Sequence, residues 1–325
     1  MILVIGEALI DLIGEADSGG EYQAVVGGAN ANVALALARR GEDQRFLGRI
    51  SNDGFGKQIR QHLASNGVNL DLSISASEQT SLAVATIDAS GVASYSFYVD
   101  GTADWGWTKE ELPSLDVVRE LGSKAVQFGC LGMAIGPGNL VIEAWLNQLA
   151  ATDSLTLSHD LNIRSALGFN RATELARVER INKISNIIKA SDADIEWLYD
   201  LSEGADLDSI AHGWSEGGKL VIVTHGSSGA YLYRNGHKLH APAPKISLVD
   251  TVGAGDTFMA NFLAEVSALD GLGDNASQRL MRLADDSLLA AAQVATTAAG
   301  IVCERKGCQP PSLRETTARL QGSAE

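Results

Sequence analysis

The sequence has little cysteine, proline and aromatic side chain, and it is short of positive charge. Among 325 residues there are 3 cysteines and 6 prolines, and aromatics make up 6%. Cys130, Cys303 and Cys308 form no CxxC pair and leave an odd thiol, which argues against a disulfide scaffold and for a reduced, cytoplasmic protein. Proline is scarce and the 34 glycines follow no three-residue period, so collagen-like and disordered chains are excluded. The 25 Lys and Arg against 40 Asp and Glu leave a net charge of −15. A partner in nucleic acid or an anionic membrane surface would need the opposite surplus. The long uncharged runs are broken, 125–142 by Gly132, Gly136, Pro137 and Gly138, and 287–303 by Gln293, Thr296 and Thr297. Neither is expected to span a membrane. The apolar start at 2–5 has no basic segment before it and no small-residue cleavage site after it, so it reads as a buried strand.

Two nucleotide signatures are also missing. No GxxxxGK[ST] occurs, which excludes a Walker-type kinase. Gly6-Glu7-Ala8-Leu9 after the first apolar run is not GxGxxG, which excludes a nicotinamide dinucleotide fold.

What is present is an ordinary globular composition, 45% apolar and 20% charged. Short apolar runs alternate with amphipathic stretches, the pattern of βα units around a largely parallel sheet. Strands are expected at 2–6, 45–50, 125–130, 155–159 and 219–224, and helices at 30–40, 57–66, 139–151, 173–189, 255–269 and 277–300. In the fourth helix Leu175, Val178, Ile181, Ile184 and Ile188 keep helical spacing. Two regions, about 8–26 and 80–106, lack a helical pattern and alternate like antiparallel strands, which suggests a small discontinuous β lid on one α/β domain covering 1–325. Gln321 to Glu325 reads as a frayed tail.

The segment Asp250-Thr-Val252-Gly253-Ala254-Gly255-Asp256-Thr-Phe258 precedes a helix with Phe258, Phe262, Val266 and Leu269 on one face. Its glycines let backbone N–H groups turn inward at a helix N-terminus, where the dipole favours an anion. Asp256 at that mouth is either an ordinary first-turn acid or a base that takes a hydroxyl proton while the amides hold developing phosphoryl charge. A second glycine pair, Gly27-Gly28, precedes a helix containing Asn30 and Asn32. Asn32 suits a sugar hydroxyl, but helix capping by either Asn is the plainer reading. Asp11, after the first strand, is a further hydroxyl acceptor or simply a solvated acid. The six histidines show no metal spacing. Trp105 and Trp107 read as packing residues, and Cys303 and Cys308 as buried thiols.

These residues bring the chain to a resemblance. It resembles the PfkB (ribokinase-like) carbohydrate kinases, most of all the fructokinase group, through Gly6-Glu7-x-x-x-Asp11, Gly27-Gly28-Ala-x-x-Asn32, Gly48-x4-Asp53-x-Phe-Gly56, Asp160-x-Asn162-x-Arg164, Thr224-x-Gly226-x-x-Gly229 and Asp250-x-x-Gly-Ala-Gly-Asp256. The resemblance implies a doubly wound, mostly parallel α/β fold with a small β lid, and phosphoryl transfer from Mg·ATP to a primary hydroxyl of a small sugar, fructose first. It assigns Asp256 as general base and Gly253, Ala254 and Gly255 as the anion hole. Asp11, Gly27, Gly28, Asn32, Phe97, Asn162 and Arg164 are expected to bind sugar. Lys189, Asp194, Thr224, Gly226 and Gly229 are expected at the nucleotide, with Asp194 also meeting Mg²⁺ through water. Asp250 and the Val252 carbonyl are expected to hold a monovalent cation, usually K⁺. A homodimer through the lid is implied as well.

Four positions depart from the family pattern. Asn-x-x-Glu is replaced by Ser191-Asp-Ala-Asp194, in which Asp194 reads equally as a helix capping box. Val99 stands where many fructokinase-like members carry Arg after the lid Phe-Tyr, which counts most against an acidic sugar. Ser51 and Asn261 each replace a usual glycine. Residues 8–38 contain no Lys or Arg, which disfavours a phosphosugar substrate. Ribose, 2-keto-3-deoxygluconate or a nucleoside remain alternative acceptors, and a non-catalytic sugar sensor is the alternative from another class.

Overall fold

The computed structural model describes residues 1–15, 20–87 and 93–322. In chain order, β1 (Ile2–Ile5), β2 (Leu9–Glu15) and β3 (Gln23–Gly27) lead to α1 (Ala29–Arg40), and β4 (Gln44–Leu47) and β5 (Arg49–Ser51) to α2 (Gly54–Ser65). Then come β6 (Ile74–Ala76), β7 (Leu82–Ile87), β8 (Ala93–Tyr98), α3 (Leu115–Glu120), β9 (Ala125–Gly129), α4 (Cys130–Ala134) and α5 (Gly138–Ala150). The next stretch holds β10 (Thr156–Asp160), α6 (Arg171–Ile184), β11 (Ile187–Ser191), α7 (Asp192–Tyr199), α8 (Asp208–Trp214) and β12 (Leu220–Thr224). The hairpin β13 (Ala230–Arg234) and β14 (His237–Ala241) precedes α9 (Ala254–Ala268), α10 (Ala276–Arg282), α11 (Asp285–Cys303) and α12 (Leu313–Gly322).

Eight strands form the main sheet in the order β14-β13-β12-β11-β10-β9-β1-β4. The six from β12 to β4 run parallel, and the β13–β14 hairpin is the antiparallel edge. Helices cover both faces, so β1, β9 and β10 are buried at every residue; β1 is a continuous apolar run, whereas β9 carries Gln127 and β10 carries Thr156, Ser158, His159 and Asp160. On one face α1, α9 and α11 pack through Leu35, Leu37, Phe258, Phe262, Ala291 and Ala295. On the other, α5 contributes Ile142, Trp145 and Leu146, while α7 and α8 contribute Ile195, Leu198 and Trp214. Phe258 and Phe262 stack at 6.0 Å, and burying a side chain of that size stabilises the fold by about 1.5–3 kcal/mol. The 19-residue α11 is long and apolar enough to cross a membrane by length and composition. Its Ala292, Ala295, Ala298 and Val302 are instead fully buried, as in the core helix of a globular protein.

The second sheet, β3-β2-β7-β8, is a small separate sheet formed from the regions 8–26 and 80–106, of which 16–19 and 88–92 lie outside the described residues. It is not wholly antiparallel. β2–β3 and β7–β8 are antiparallel hairpins, whereas β2 and β7 run parallel from Ile10↔Leu82 to Glu15↔Ile87. Both strands leave the main body in the same direction, which forces that pairing.

Other expectations are also corrected. The helix expected over 173–189 ends at Ile184, and Ile188 belongs to β11. Asn186 makes the break: its N–H donates to the Leu157 carbonyl at 2.9 Å and its side chain accepts from Leu157 N at 2.8 Å, pinning the new strand beside β10. The run 45–50 splits at Gly48 into β4 and β5, which lie in different sheets. The stretch 277–300 is two helices, because Leu283 and Ala284 are extended. Gln321 and Gly322 are helical, and 323–325 lie outside the described residues.

Candidate active site

The parallel strands end together at Ile5, Gly129, Asp160, Ser191 and Thr224, the edge where open α/β sheets bind ligands. Helices α1 and α9 also begin there. Asn32, in the first turn of α1, donates from Nδ2 to Asp256 Oδ2 at 2.8 Å, and Asp256 is the third residue of α9. The two helices run side by side in the same direction, because Arg40 at the end of α1 donates to Asn261 Oδ1 at 2.9 Å and pairs with Glu265 on α9. Asn261 also donates to the Thr257 carbonyl at 2.9 Å. That gives the non-glycine residue at 261 its contact, a buried tie between the helices carrying Asn32 and Asp256. Neither Asn caps α1, whose N-cap is Gly28. Asn30 turns to Glu7 Oε2 at 3.0 Å and the Gly129 carbonyl at 3.2 Å.

Asp256 is buried, and burial pushes its carboxyl up to about 7; Asp160 adds to the rise, while the Asn32 hydrogen bond, Arg164 and Lys189 oppose it. The turn before it depends on Gly253, which has φ 76° and would place a Cβ 2.3 Å from Cys308 Sγ. A side chain there is therefore excluded twice, by conformation and by the thiol behind it. Among the described residues none accepts from the N–H of Gly253 or Gly255. The Ala254 N–H differs from expectation, being directed to the Thr251 carbonyl at 3.2 Å.

Lys189 on β11 reaches the same place from below. Its buried ammonium lies 2.9 and 2.8 Å from the two oxygens of Asp160, and a Cβ on Gly255 would meet Nζ at 3.2 Å. The Asp160 charge holds the lysine protonated against the opposing effect of burial. Arg164, in the loop after β10, stays open to solvent, and its charge draws down both Asp256 and Asp11. Asp11 projects from β2, where burial lifts its carboxyl to about 6 against the pull of Arg164. Gly27 makes room for it, since a Cβ there would lie 2.1 Å from Asp11 Oδ2. Phe97, half-buried on β8, packs against a cluster of Leu9, Ala29, Val99, Trp105 and Cys130 where the second sheet meets the main body. Val99 is thus an apolar wall residue, and Trp105 is a buried packing residue, as is Trp107. Asn162 is left-handed, with φ 42°, between Asp160 and Arg164.

The remaining predicted positions form a second group along the same sheet edge. Asp194 closes a capping box with Ser191, accepting from Ser191 N at 2.8 Å, and its other oxygen accepts from Ile163 N at 2.7 Å. Thr224 ends β12, and Gly226 and Gly229 bracket the turn that opens β13. Asp250 accepts from Val252 N at 3.1 Å and Gly307 N at 2.8 Å. Ser51 uses the hydroxyl that a glycine would lack to accept from Asp53 N at 3.1 Å. Among the described residues no three His, Cys, Asp or Glu side chains converge as a metal cluster.

Sequence reasoning overlooked three contributors. Asp160 was visible only as a motif letter, and nothing in the sequence paired it with Lys189. Cys308 lies 55 residues from the glycine it backs. Glu7 carries no local sign of its role, yet it is buried and accepts from Ala29 N, Asn30 Nδ2 and Gly132 N at 2.8, 3.0 and 3.1 Å.

The pfkB family carbohydrate kinase pattern matches residues 1–315. A fructokinase of Rhizobium leguminosarum bv. trifolii is 35% identical over 269 residues, 82% of this chain and 79% of that protein. A fructokinase of Klebsiella pneumoniae is 31% identical, covering 92% and 94%. In structure, Xylella fastidiosa fructokinase with bound ATP superposes with a TM-score of 0.87 at 24% identity, covering 100% of this chain and 99% of that one. Vibrio cholerae O395 fructokinase, in a fructose-, ADP- and calcium-bound form, gives 0.80 at 24% identity, covering 98% and 97%. The mostly parallel sheet, the flanking helices and the small separate sheet are those of the ribokinase-like fold, and the chain belongs to the pfkB family of carbohydrate kinases, making it a sugar kinase, a phosphotransferase.

Proposed function

We propose that this sugar kinase transfers the γ-phosphoryl group of ATP to a primary hydroxyl of fructose, with Asp256 as general base. The observation that carries the reading is the buried Asp256 carboxyl at the start of α9, oriented by Asn32 and raised to about 7, a value suited to taking a proton near neutral pH. The Gly253 and Gly255 amides and the α9 dipole stabilise the transferring phosphoryl charge, joined by the Ala254 amide if the turn at Thr251 opens. Lys189 supports the same charge from below. Asp11, Asn32 and the Gly27-Gly28 backbone bind sugar hydroxyls, Phe97 covers the apolar face of the ring, and Asn162 and Arg164 close the far side. Val99 and the absence of Lys and Arg from 8–38 favour a neutral sugar. Relatives and fold neighbours described as fructokinases point to fructose.

Thr224, Gly226 and Gly229 line the nucleotide. Asp194 keeps lone pairs beyond its two N–H partners and fits Mg²⁺ held through water, where the ion would neutralise phosphate charge. Asp250 and the Val252 carbonyl are hard oxygen donors of the kind a monovalent cation takes. A lid that excludes water favours transfer over ATP hydrolysis, and its exposed Tyr22 and Tyr98 suit a homodimer contact in a cytoplasmic enzyme.

The test is ADP release with Mg·ATP and K⁺ across fructose, ribose, 2-keto-3-deoxygluconate and a set of nucleosides. Release with fructose is expected. Release with a nucleoside alone would keep the chemistry and overturn the sugar. Binding without any release would favour a sensor. Two further outcomes are expected. K⁺ should raise the rate over Na⁺, and equal rates would remove the cation site at Asp250. As Asp256 is protonated below about 7 and then cannot accept a proton, kcat/KM should climb through that pH with unit slope from the acid side. A flat acid limb from pH 5 to 7 would dismiss that base.

A further inference from the structure

We propose that Asp104 is a positioning residue that acts in its protonated, neutral form, closing a hydrogen-bond chain at the root of the lid and so holding the sugar-facing lid residues in place. This rests on the reading of the lid as the cover over the sugar. Asp104 lies in the short turn Ala103–Trp105, buried, just after the chain returns from β8. Its Oδ1 accepts from Ala8 N at 2.8 Å, immediately before β2. Its Oδ2 lies 2.5 Å from Ser81 Oγ, immediately before β7. Ser81 Oγ lies 2.5 Å from Thr102 Oγ1, and Thr102 Oγ1 lies 2.8 Å from the carbonyl of Val99, immediately after β8. Three of the four places where the chain crosses between lid and body are thus joined through Asp104. The fourth, after β3, is held by Glu7 through Ala29 N, one residue before Ala8.

Counting protons decides the state of the acid. The chain Asp104–Ser81–Thr102–Val99 has three gaps, and each needs one hydrogen. The two hydroxyls supply two, and the Val99 carbonyl supplies none. The third must come from Asp104, which then donates to Ser81, Ser81 to Thr102, and Thr102 to Val99. An ionised Asp104 accepts a hydrogen bond from Ser81 and Ser81 accepts one from Thr102, so the Val99 carbonyl loses the hydroxyl donor and keeps only the longer bond from Thr102 N at 3.4 Å. Val99 anchors the end of β8, the strand that carries Phe97.

The electrostatic surroundings agree. Burial raises Asp104 to about 7, and the Glu7 charge pushes in the same direction. Burial raises Glu7 as well, and the three N–H donors its oxygens accept from, Ala29 N, Asn30 Nδ2 and Gly132 N, oppose that rise. The other charged groups around the turn are committed elsewhere. Asp53 accepts from Thr80 N and Thr80 Oγ1. Arg49 on β5 donates to the Ala103 carbonyl and pairs with Glu78 and Glu111. The Cys130 thiol is pushed up by burial and is neutral, and α5 meets the turn at Gly138, which has no side chain.

Fructose affinity by calorimetry without nucleotide, between pH 6 and 8.5, tests the claim on wild type, Asp104→Asn and Ser81→Ala. The amide of Asp104→Asn can accept from Ala8 N and donate to Ser81, so it mimics the neutral acid permanently. Asp11 and Asp256 titrate in the same range, so each affinity is read as a ratio to that of Asp104→Asn at the same pH. The wild-type ratio should be near one at pH 6 and fall about fivefold by pH 8.5, the size of one lost hydrogen bond. Ser81→Ala, with the chain already cut, should stay about fivefold below Asp104→Asn throughout. A wild-type ratio constant with pH, or an Asp104→Asn affinity already below wild type at pH 6, overturns the proposal.

Melting of the sugar-free protein gives an arm that survives failure of the fructose reading. A carboxyl raised in the folded state loses its stabilising contribution as pH rises toward the folded value. The melting temperature of Asp104→Asn relative to wild type should therefore rise from pH 5 to 8. A difference constant with pH would sink the idea. If Asp104→Asn does not fold, its requirement for the charged acid is itself the contrary result.

Discussion

Replacing Asp256 with Asn should lower turnover by about 10²–10⁴ while leaving ATP affinity nearly unchanged. The amide keeps the size of the carboxyl and sits at the same point on α9, so the phosphate-facing amides remain. What disappears is the acceptor for the hydroxyl proton. Asn32 now faces a second amide, which can present its carbonyl oxygen to the same donor, so stability should change little. Initial rates at saturating fructose, with nucleotide affinity measured separately, give the comparison. Turnover near wild type would show that another group takes the proton or that none is needed.

Lys189→Met should produce the second large effect, on two quantities at once. Asp160 would remain buried without its counter-charge, and removing one partner of such a pair costs about 3–5 kcal/mol. Turnover should fall by about 10²–10³ as well, the usual loss when one donor to a developing anion is removed. The double variant Asp160→Asn with Lys189→Met separates the two. It removes both charges, so most of the stability should return in urea titration while turnover stays low. Recovery of both together would mean that Lys189 serves only the fold.

The fold class was legible because its cause is local. Strands buried on both faces are rich in apolar residues; β9 and β10 are interrupted by buried polar residues such as Gln127 and His159, but β1 and β12 stand out as apolar runs. β11 did not. Its Ile187 and Ile188 continue the helical spacing of α6, and only the side chain of Asn186, bonded across to Leu157, converts helix to strand. The parallel pairing of β2 with β7 was equally hidden, because alternation along a strand carries no information on the direction of its neighbour.

In the site, local chemistry made the glycine turn and Asp256 stand out, and the family resemblance extended this to Asp11, Asn32 and Arg164. The sequence alone determined the alternating architecture, the family, and a glycine turn that sets an acid at a helix start. Tertiary structure decided whatever depends on two distant groups meeting. It turned Asn32 from a helix cap into the partner of Asp256, and it gave Asn261 its bond to Arg40. It also set Cys308 behind Gly253 and tied three lid crossings to Asp104. Propensity and periodicity are properties of neighbours in the chain, whereas burial, pairing and protonation belong to neighbours in space.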